Sequence, residues 1–296
     1  MNLSGVFPPI ATPFDADGEV DTAAIRSNVA RWMRADLRGI VALGTNGEAP
    51  LLAESESDAV IAAARDAVPR DRLFLVGTGR ESTRATIDAS RRAAALGADA
   101  VLVRTPSFFK PRMTPEAFVA HYAAVADAVR APVILYNYPA VTGVTFTPDA
   151  IARLAGHANI AGIKETSTDA SEIAAYLDAA SGHDFAVLAG SAPSFYAALC
   201  LGVRGGILAA ACIVPRLCVQ LFDAFNAGDH ATARDLQRRL IPIASAVTTG
   251  FGVPGLKAAL QLAGYVGGPP RPPLHAAPVE AVRTIEGALS SLREFL

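Results

Sequence analysis

Eight short, branched apolar runs, each followed by a stretch with helical spacing, constrain this chain more than any other feature. The runs lie at residues 6–11, 39–43, 73–77, 100–104, 133–137, 160–165, 185–189 and 206–210. They are apolar at consecutive positions, which buries both faces, as in a parallel sheet covered by helices. The Ala-rich segments between them predict helices, among them 21–35, 55–67, 82–96, 114–129 and 214–227. Eight βα units in succession fit an α/β fold of the (β/α)8 TIM-barrel type. An open doubly wound sheet is the alternative.

Local chemistry marks the helix ends. Ser82 is placed to cap one helix, and Thr114-Pro115-Glu116 and Thr147-Pro148-Asp149 each set a capping threonine before a proline in the first turn. Gly97 follows Ala95-Leu96 as a stop. Residues after the eighth unit still read as helical, up to a Pro-rich break at 267–273 and a last helix from Pro278. We place a catalytic barrel at residues 1–228 and a helical extension packed on it, as one structural unit, at 229–296.

Several function classes are excluded early. The formal net charge of −2 offers no basic field for nucleic acid or an anionic membrane. The N-terminus has neither a charged n-region nor an apolar h-region, and the longest apolar run (205–214) is too short for a membrane span, so a cytoplasmic protein is expected. Cys200, Cys212 and Cys218 lack CxxC spacing and read as small core residues in a reducing compartment. The five histidines (His121, His157, His183, His230, His275) form no HxH or i, i+4 pair, so no metal is expected. The GxSxG, Walker and GxGxxG signatures are absent. Gly77-Thr78-Gly79-Arg80 starts like a dinucleotide loop but has no second half, and reads as a tight barrel turn.

In a barrel the chemistry sits where strands end at their C-terminal edge. Lys164 stands out there. Of 26 lysines and arginines only three are lysines (Lys110, Lys164, Lys257), and Lys164 ends the buried run Ile160-Ala161-Gly162-Ile163. A desolvated ammonium loses its proton more readily, and the neutral amine can condense with a ketone to give an iminium, an electron sink. The other reading is a lysine paired with Glu165 or another acid. Tyr136, near the end of the preceding strand, is a candidate proton shuttle or else a core tyrosine bonded to backbone. Gly44-Thr45-Asn46-Gly47-Glu48 offers backbone N–H groups and a hydroxyl to a carboxylate, or is an ordinary strand-to-helix turn.

Taken together, these windows resemble the dihydrodipicolinate synthase / N-acetylneuraminate lyase family of class I, pyruvate-dependent lyases. The resemblance runs from residue 5 to about 260. It is carried by Gly44-Thr45-Asn46-Gly47-Glu48, by Tyr136-Asn137-x-Pro139 with Gly143, and by Gly162-Ile163-Lys164-Glu165. It implies that Lys164 forms the Schiff base, Tyr136 moves protons, and Thr45 binds the substrate carboxylate with Asn46 in the same loop. It further implies that Gly190 and Ile207 line the pyruvyl pocket and that Thr166 contacts substrate hydroxyls. No cofactor or metal beyond the covalent Schiff base is implied. The implied partner is a small 2-oxo acid, and the implied assembly a homotetramer built as a dimer of dimers.

Three departures set the chain apart from the synthase pattern. Asn46 replaces a second threonine, Val141 stands where the synthase has an arginine for the distal carboxylate of its second substrate, and Ser107-Phe108-Phe109 covers the segment that supplies a tyrosine, so Phe109 cannot donate a proton. The segments 81–86, 187–192 and 251–257 resemble the 4-hydroxy-2-oxoglutarate aldolase type most. Arg104 reads as a carboxylate ligand at the barrel mouth or as a paired arginine. The expected reaction is reversible cleavage of a 4-hydroxy-2-oxo acid to pyruvate and an aldehyde. The alternatives are dehydration of a 2-oxo-3-deoxy sugar acid, a synthase-like condensation, and a catalytically impaired barrel that only binds 2-oxo acids.

Overall fold

The computed structural model describes all 296 residues. Its strands are β1 (Gly5–Phe7), β2 (Gly39–Ala42), β3 (Leu73–Gly77), β4 (Ala100–Arg104), β5 (Val133–Asn137), β6 (Ile160–Glu165), β7 (Ala186–Ala189) and β8 (Gly205–Ile207). The barrel helices are α1 (Thr22–Trp32), α2 (Glu54–Ala67), α3 (Thr83–Ala95), α4 (Pro115–Ala128), the single turn α5 (Pro139–Thr142), α6 (Pro148–Ala155), α7 (Ala170–Ala179), α8 (Phe195–Leu201) and α9 (Pro215–Asn226). After them come α10 (His230–Ser245), a π-helical turn (Ala246–Gly250), α11 (Gly252–Leu262) and α12 (Val279–Ser290).

All strand pairs are parallel, in the order β1-β8-β7-β6-β5-β4-β3-β2. The ring closes between β1 and β2 through Arg38 N to Val6 O (3.0 Å), Val41 N to Pro8 O (3.0 Å) and Ile10 N to Val41 O (2.9 Å). The result is a closed (β/α)8 barrel. Alternation along the strands sorts side chains into two compartments. Phe7, Val41, Leu75, Leu102, Ile134 and Leu188 fill the interior, whereas Ile40, Phe74, Val101, Val133 and Ile163 face the helices. Each such side chain contributes about 1.5–3 kcal/mol by leaving water, so the barrel is a packed core and not a pore.

The caps behave as their residue types require. Ser82, Thr114 and Thr147 each accept a bond from the backbone N–H three residues on. Gly97 stops α3 with φ +97°, a value that disfavours any side chain. Two strands stop well short of the ends of their apolar runs. Pro8 and Pro9 carry no N–H, so β1 ends at Phe7 and leaves only a single bridge from Pro9 to Val41. Beyond β8, Ala209–Cys212 coils into a 3₁₀ turn, since alanines have little preference for a pleated surface. Cys212 and Cys218 are buried core residues, but Cys200 is exposed at the end of α8, contrary to expectation. Helix α8 has only two turns and buries Phe195, Ala198 and Leu199, and Cys200 falls on its outer face.

Long-range polar contacts fasten the last helices to the barrel. The buried Gln237 amide on α10 donates to Ala192 O (3.0 Å) and Pro193 O (3.1 Å) and accepts from Tyr196 N (2.7 Å), which satisfies the loop after β7. Asn28 on α1 pairs with Val266 in both directions (2.8 and 3.0 Å). No helix is long and apolar enough to cross a membrane.

Candidate active site

Lys164 and Tyr136 are each next to last in their strands, and the register sets them opposite one another on β6 and β5. Same-face side chains at one level of adjacent strands must meet. Accordingly Lys164 Nζ lies 4.1 Å from the centroid of the Tyr136 ring. Lys164 is buried, and burial pushes its pKa down to about 7, opposed slightly by the nearby Cys212 thiol. A large share of Lys164 is therefore the neutral, nucleophilic amine at neutral pH. Burial pushes the Tyr136 phenol up to about 12, so it keeps its proton, while its hydroxyl shares a 3.0 Å hydrogen bond with Thr45 Oγ1.

Glu165 does not pair with Lys164. It is the next residue of the strand and points to the other side. Its carboxylate accepts from Asn137 Nδ2 (2.7 Å) and Ser167 N (2.6 Å), and burial raises its pKa to about 7. That arrangement braces the loop after β6 from behind and leaves the lysine without an acid partner.

A cavity of about 410 Å3 opens at the C-terminal ends of the strands. All seven anticipated residues line it: Thr45, Asn46, Tyr136, Lys164, Thr166, Gly190 and Ile207. Asn46 Nδ2 donates to Pro9 O (3.2 Å) and ties the Gly44–Glu48 turn to the chain after β1. Thr166 donates to Asn137 O (2.9 Å). A Cβ on Gly190 would lie 2.6 Å from Thr166 Cγ2 and 3.2 Å from Lys164 Cε, so only glycine leaves the lysine room to move. Sequence reasoning missed Thr168, Glu172, Thr248 and Thr249, which also line the cavity. The two threonines come from the π-helical turn of the extension, more than 80 residues beyond the lysine. π-turns cluster at functional sites, yet nothing in the local sequence announces one.

The residues that depart from the synthase pattern lie to one side. Val141 on α5 is 61% exposed. It borders a neighbouring cavity of about 530 Å3 that shares Thr45 and Tyr136 with the first. Phe108 and Phe109 pack edge-to-face at 5.0 Å and are exposed. Arg104 is a paired arginine: it holds Glu81 at 2.8 Å, and Glu81 accepts from Ser107 N and Phe108 N (2.8 Å each). The pair thus fixes the loop that carries the two phenylalanines. No three His, Cys, Asp or Glu side chains come together as a metal site would need.

Residues 2–292 match the model of the dihydrodipicolinate synthetase family. A 4-hydroxy-tetrahydrodipicolinate synthase of Methanospirillum hungatei is 35% identical over 97% of this chain and 99% of its own. An uncharacterized DapA-like lyase of Halobacterium salinarum is 36% identical over 99% of this chain and 95% of its own. Among solved structures, dihydrodipicolinate synthase from Thermotoga maritima superposes with a TM-score of 0.95 at 29% identity, covering 100% of both chains. YagE, a prophage protein of E. coli K12 solved in complex with pyruvate, superposes with a TM-score of 0.92 at 30% identity, again covering 100% of both chains. Sequence and backbone agree from end to end, and the chain belongs to the dihydrodipicolinate synthetase family: it is an enzyme, a class I pyruvate-dependent lyase of the kind that works through a lysine Schiff base without a cofactor.

Proposed function

We propose that the protein cleaves, reversibly, a 4-hydroxy-2-oxo acid whose distal part is neutral and hydroxylated to pyruvate and an aldehyde. Lys164 is the nucleophile. Its amine adds to the C2 carbonyl, water leaves, and the iminium draws electrons from the C3–C4 bond as it breaks. Tyr136 takes up the C4 hydroxyl proton while its own passes along the bond to Thr45, and the Thr45 hydroxyl proton passes in turn to solvent at the open cavity mouth. This relay avoids the phenolate that burial makes costly. The remaining enamine is protonated at C3, and hydrolysis frees pyruvate and the lysine. Thr45 and the amides of its turn bind the carboxylate, Asn46 shapes that loop, and Gly190 and Ile207 wall the pyruvyl end. We assign Thr166 to the hydroxyl-bearing part of the substrate.

The observation that carries the reading is the lining beyond the lysine. Lys164 is the only cation on the cavity wall, and the distal part carries hydroxyls from Thr166, Ser167, Thr168, Ser191, Thr248 and Thr249. Such a wall suits a neutral, hydroxylated aldehyde better than one with a carboxylate, which would call for a guanidinium. The same hydroxyls suit dehydration of a 2-oxo-3-deoxy sugar acid, which is the second reading. Product masses separate the two: pyruvate plus aldehyde against loss of one water. The condensation for which the synthase relatives are named fits less well, since Val141 offers no charge. Installing one, by Val141→Arg, is expected to raise kcat/KM for carboxylate-bearing aldehydes by about tenfold relative to neutral ones, in line with a new charged contact of roughly 1.5 kcal/mol. An unchanged ratio would remove the argument from that position.

The depressed lysine pKa predicts the pH dependence of adduct formation. Below pH 7 Lys164 is largely an ammonium and does not add to the ketone. The initial rate of cyanoborohydride trapping with pyruvate should therefore rise through about pH 7 and then level off. A rate that keeps climbing to pH 10 would show an ordinary, solvated lysine instead.

A further inference from the structure

Two regions far apart in sequence meet behind the Gly44–Glu48 turn. The turn runs as a 3₁₀ turn over Thr45–Gly47 and ends on Glu48, which holds a left-handed conformation (φ 54°) although it is not glycine. A strained residue of this kind persists only where its surroundings over-determine it. Here the surroundings come from the C-terminal extension. Lys257 Nζ lies 2.5 Å from Glu48 Oε1, and both side chains are shielded from solvent. The two charges form an ion pair closed off from water. Lys257 Nζ also donates to Pro269 O (2.7 Å) and sits 4.3 Å above the Phe14 ring. Glu48 Oε2 accepts from Arg271 N (2.8 Å). The Arg271 guanidinium grips Glu56 with two bonds (2.6 and 2.7 Å) and covers Phe14 at 4.2 Å.

We infer that Lys257 and Glu48 are positioning residues for the carboxylate of the 2-oxo acid. Neither lines the cavity. Their buried pair locks the far end of the turn, three residues from Thr45, and so holds the Thr45 hydroxyl within hydrogen-bond reach of Tyr136. Burial pulls the Lys257 pKa down and Glu48 pulls it back up. A compact ammonium suits a niche bounded by a carboxylate, a carbonyl and a ring face better than a planar guanidinium does. This is consistent with a lysine in a chain that otherwise relies on arginine. The inference rests on the reading that the Gly44–Glu48 turn receives the substrate carboxylate.

The test is cyanoborohydride trapping on the full chain as a function of pyruvate concentration, with thermal melting alongside. The double variant Glu48→Gln/Lys257→Met removes both charges together, so neither is left buried alone. Pyruvate half-saturation is expected to rise about ten- to a hundredfold, the scale of a misplaced binding group, and the rate at saturation to fall as well, because the bond between Thr45 and Tyr136 is loosened. A merely structural role would lower the melting temperature or the trappable fraction and leave half-saturation where it is; that result overturns the inference. If the double variant does not fold, Glu48→Gln alone, which keeps the shape of the turn, is read in the same way. It removes the charge that pairs with Lys257, and a half-saturation equal to that of wild type again overturns the inference. Wild-type protein that takes no pyruvate at any concentration would sink the site reading and this inference together. Wild-type protein that traps normally beside variants of unchanged half-saturation sinks this inference alone.

Discussion

Replacing Lys164 with methionine should abolish the pyruvyl adduct and, in the same protein, raise the melting temperature by several degrees. The first effect follows from removing the nucleophile: turnover is expected to fall by on the order of 10⁴-fold or more. The second follows from proton linkage. Burial takes the lysine pKa from 10.5 to about 7, so between those values the folded chain binds fewer protons than the unfolded one. The lysine therefore opposes folding fully at and below about pH 7, and the penalty fades as pH rises toward 10.5. At neutral pH it is on the order of 4–5 kcal/mol, at about 1.4 kcal/mol per unit. Methionine fills a similar volume without a charge to desolvate. The gain in stability should accordingly shrink when melting is repeated at pH 10. A variant that loses the adduct but melts no higher than wild type would mean that the amine is not desolvated, and the chemical case for Lys164 would lose its basis.

Tyr136→Phe is expected to lower turnover by about 10²–10⁴-fold, the usual scale for a general acid–base group. The ring that Lys164 Nζ rests on stays in place. Only the hydroxyl and its bond to Thr45 are lost, so the stability change should be about 1 kcal/mol or less. The pyruvyl adduct should still form in the variant, more slowly, because the amine is unchanged while the proton relay is gone. Steady-state kinetics together with intact-protein mass after reduction would separate the two steps. Turnover within a few-fold of wild type would take Tyr136 out of the proton path and return it to the core-tyrosine reading.

The barrel and its lysine were legible because the information that specifies them is local. Consecutive apolar residues mark strands buried on both faces, a threonine before proline marks a helix start, and a lysine closing an apolar run such as residues 160–163 needs no distant contact to be noticed. The opposition of Lys164 and Tyr136 follows nearly as directly, since both stand next to last in neighbouring parallel strands. Other features depended on the folded chain. The Glu165 carboxylate serves Asn137 and Ser167 and not the lysine, Cys200 is exposed, and Arg104 is spent on Glu81. Thr248 and Thr249 reach the cavity from a π-helical turn, and the charge that holds Glu48 comes from Lys257, 209 residues away. The physical reason is the same in each case. Periodicity and capping act over a few residues and are written in sequence order, whereas ion pairs, cavity walls and exposure depend on which surfaces the closed barrel brings together.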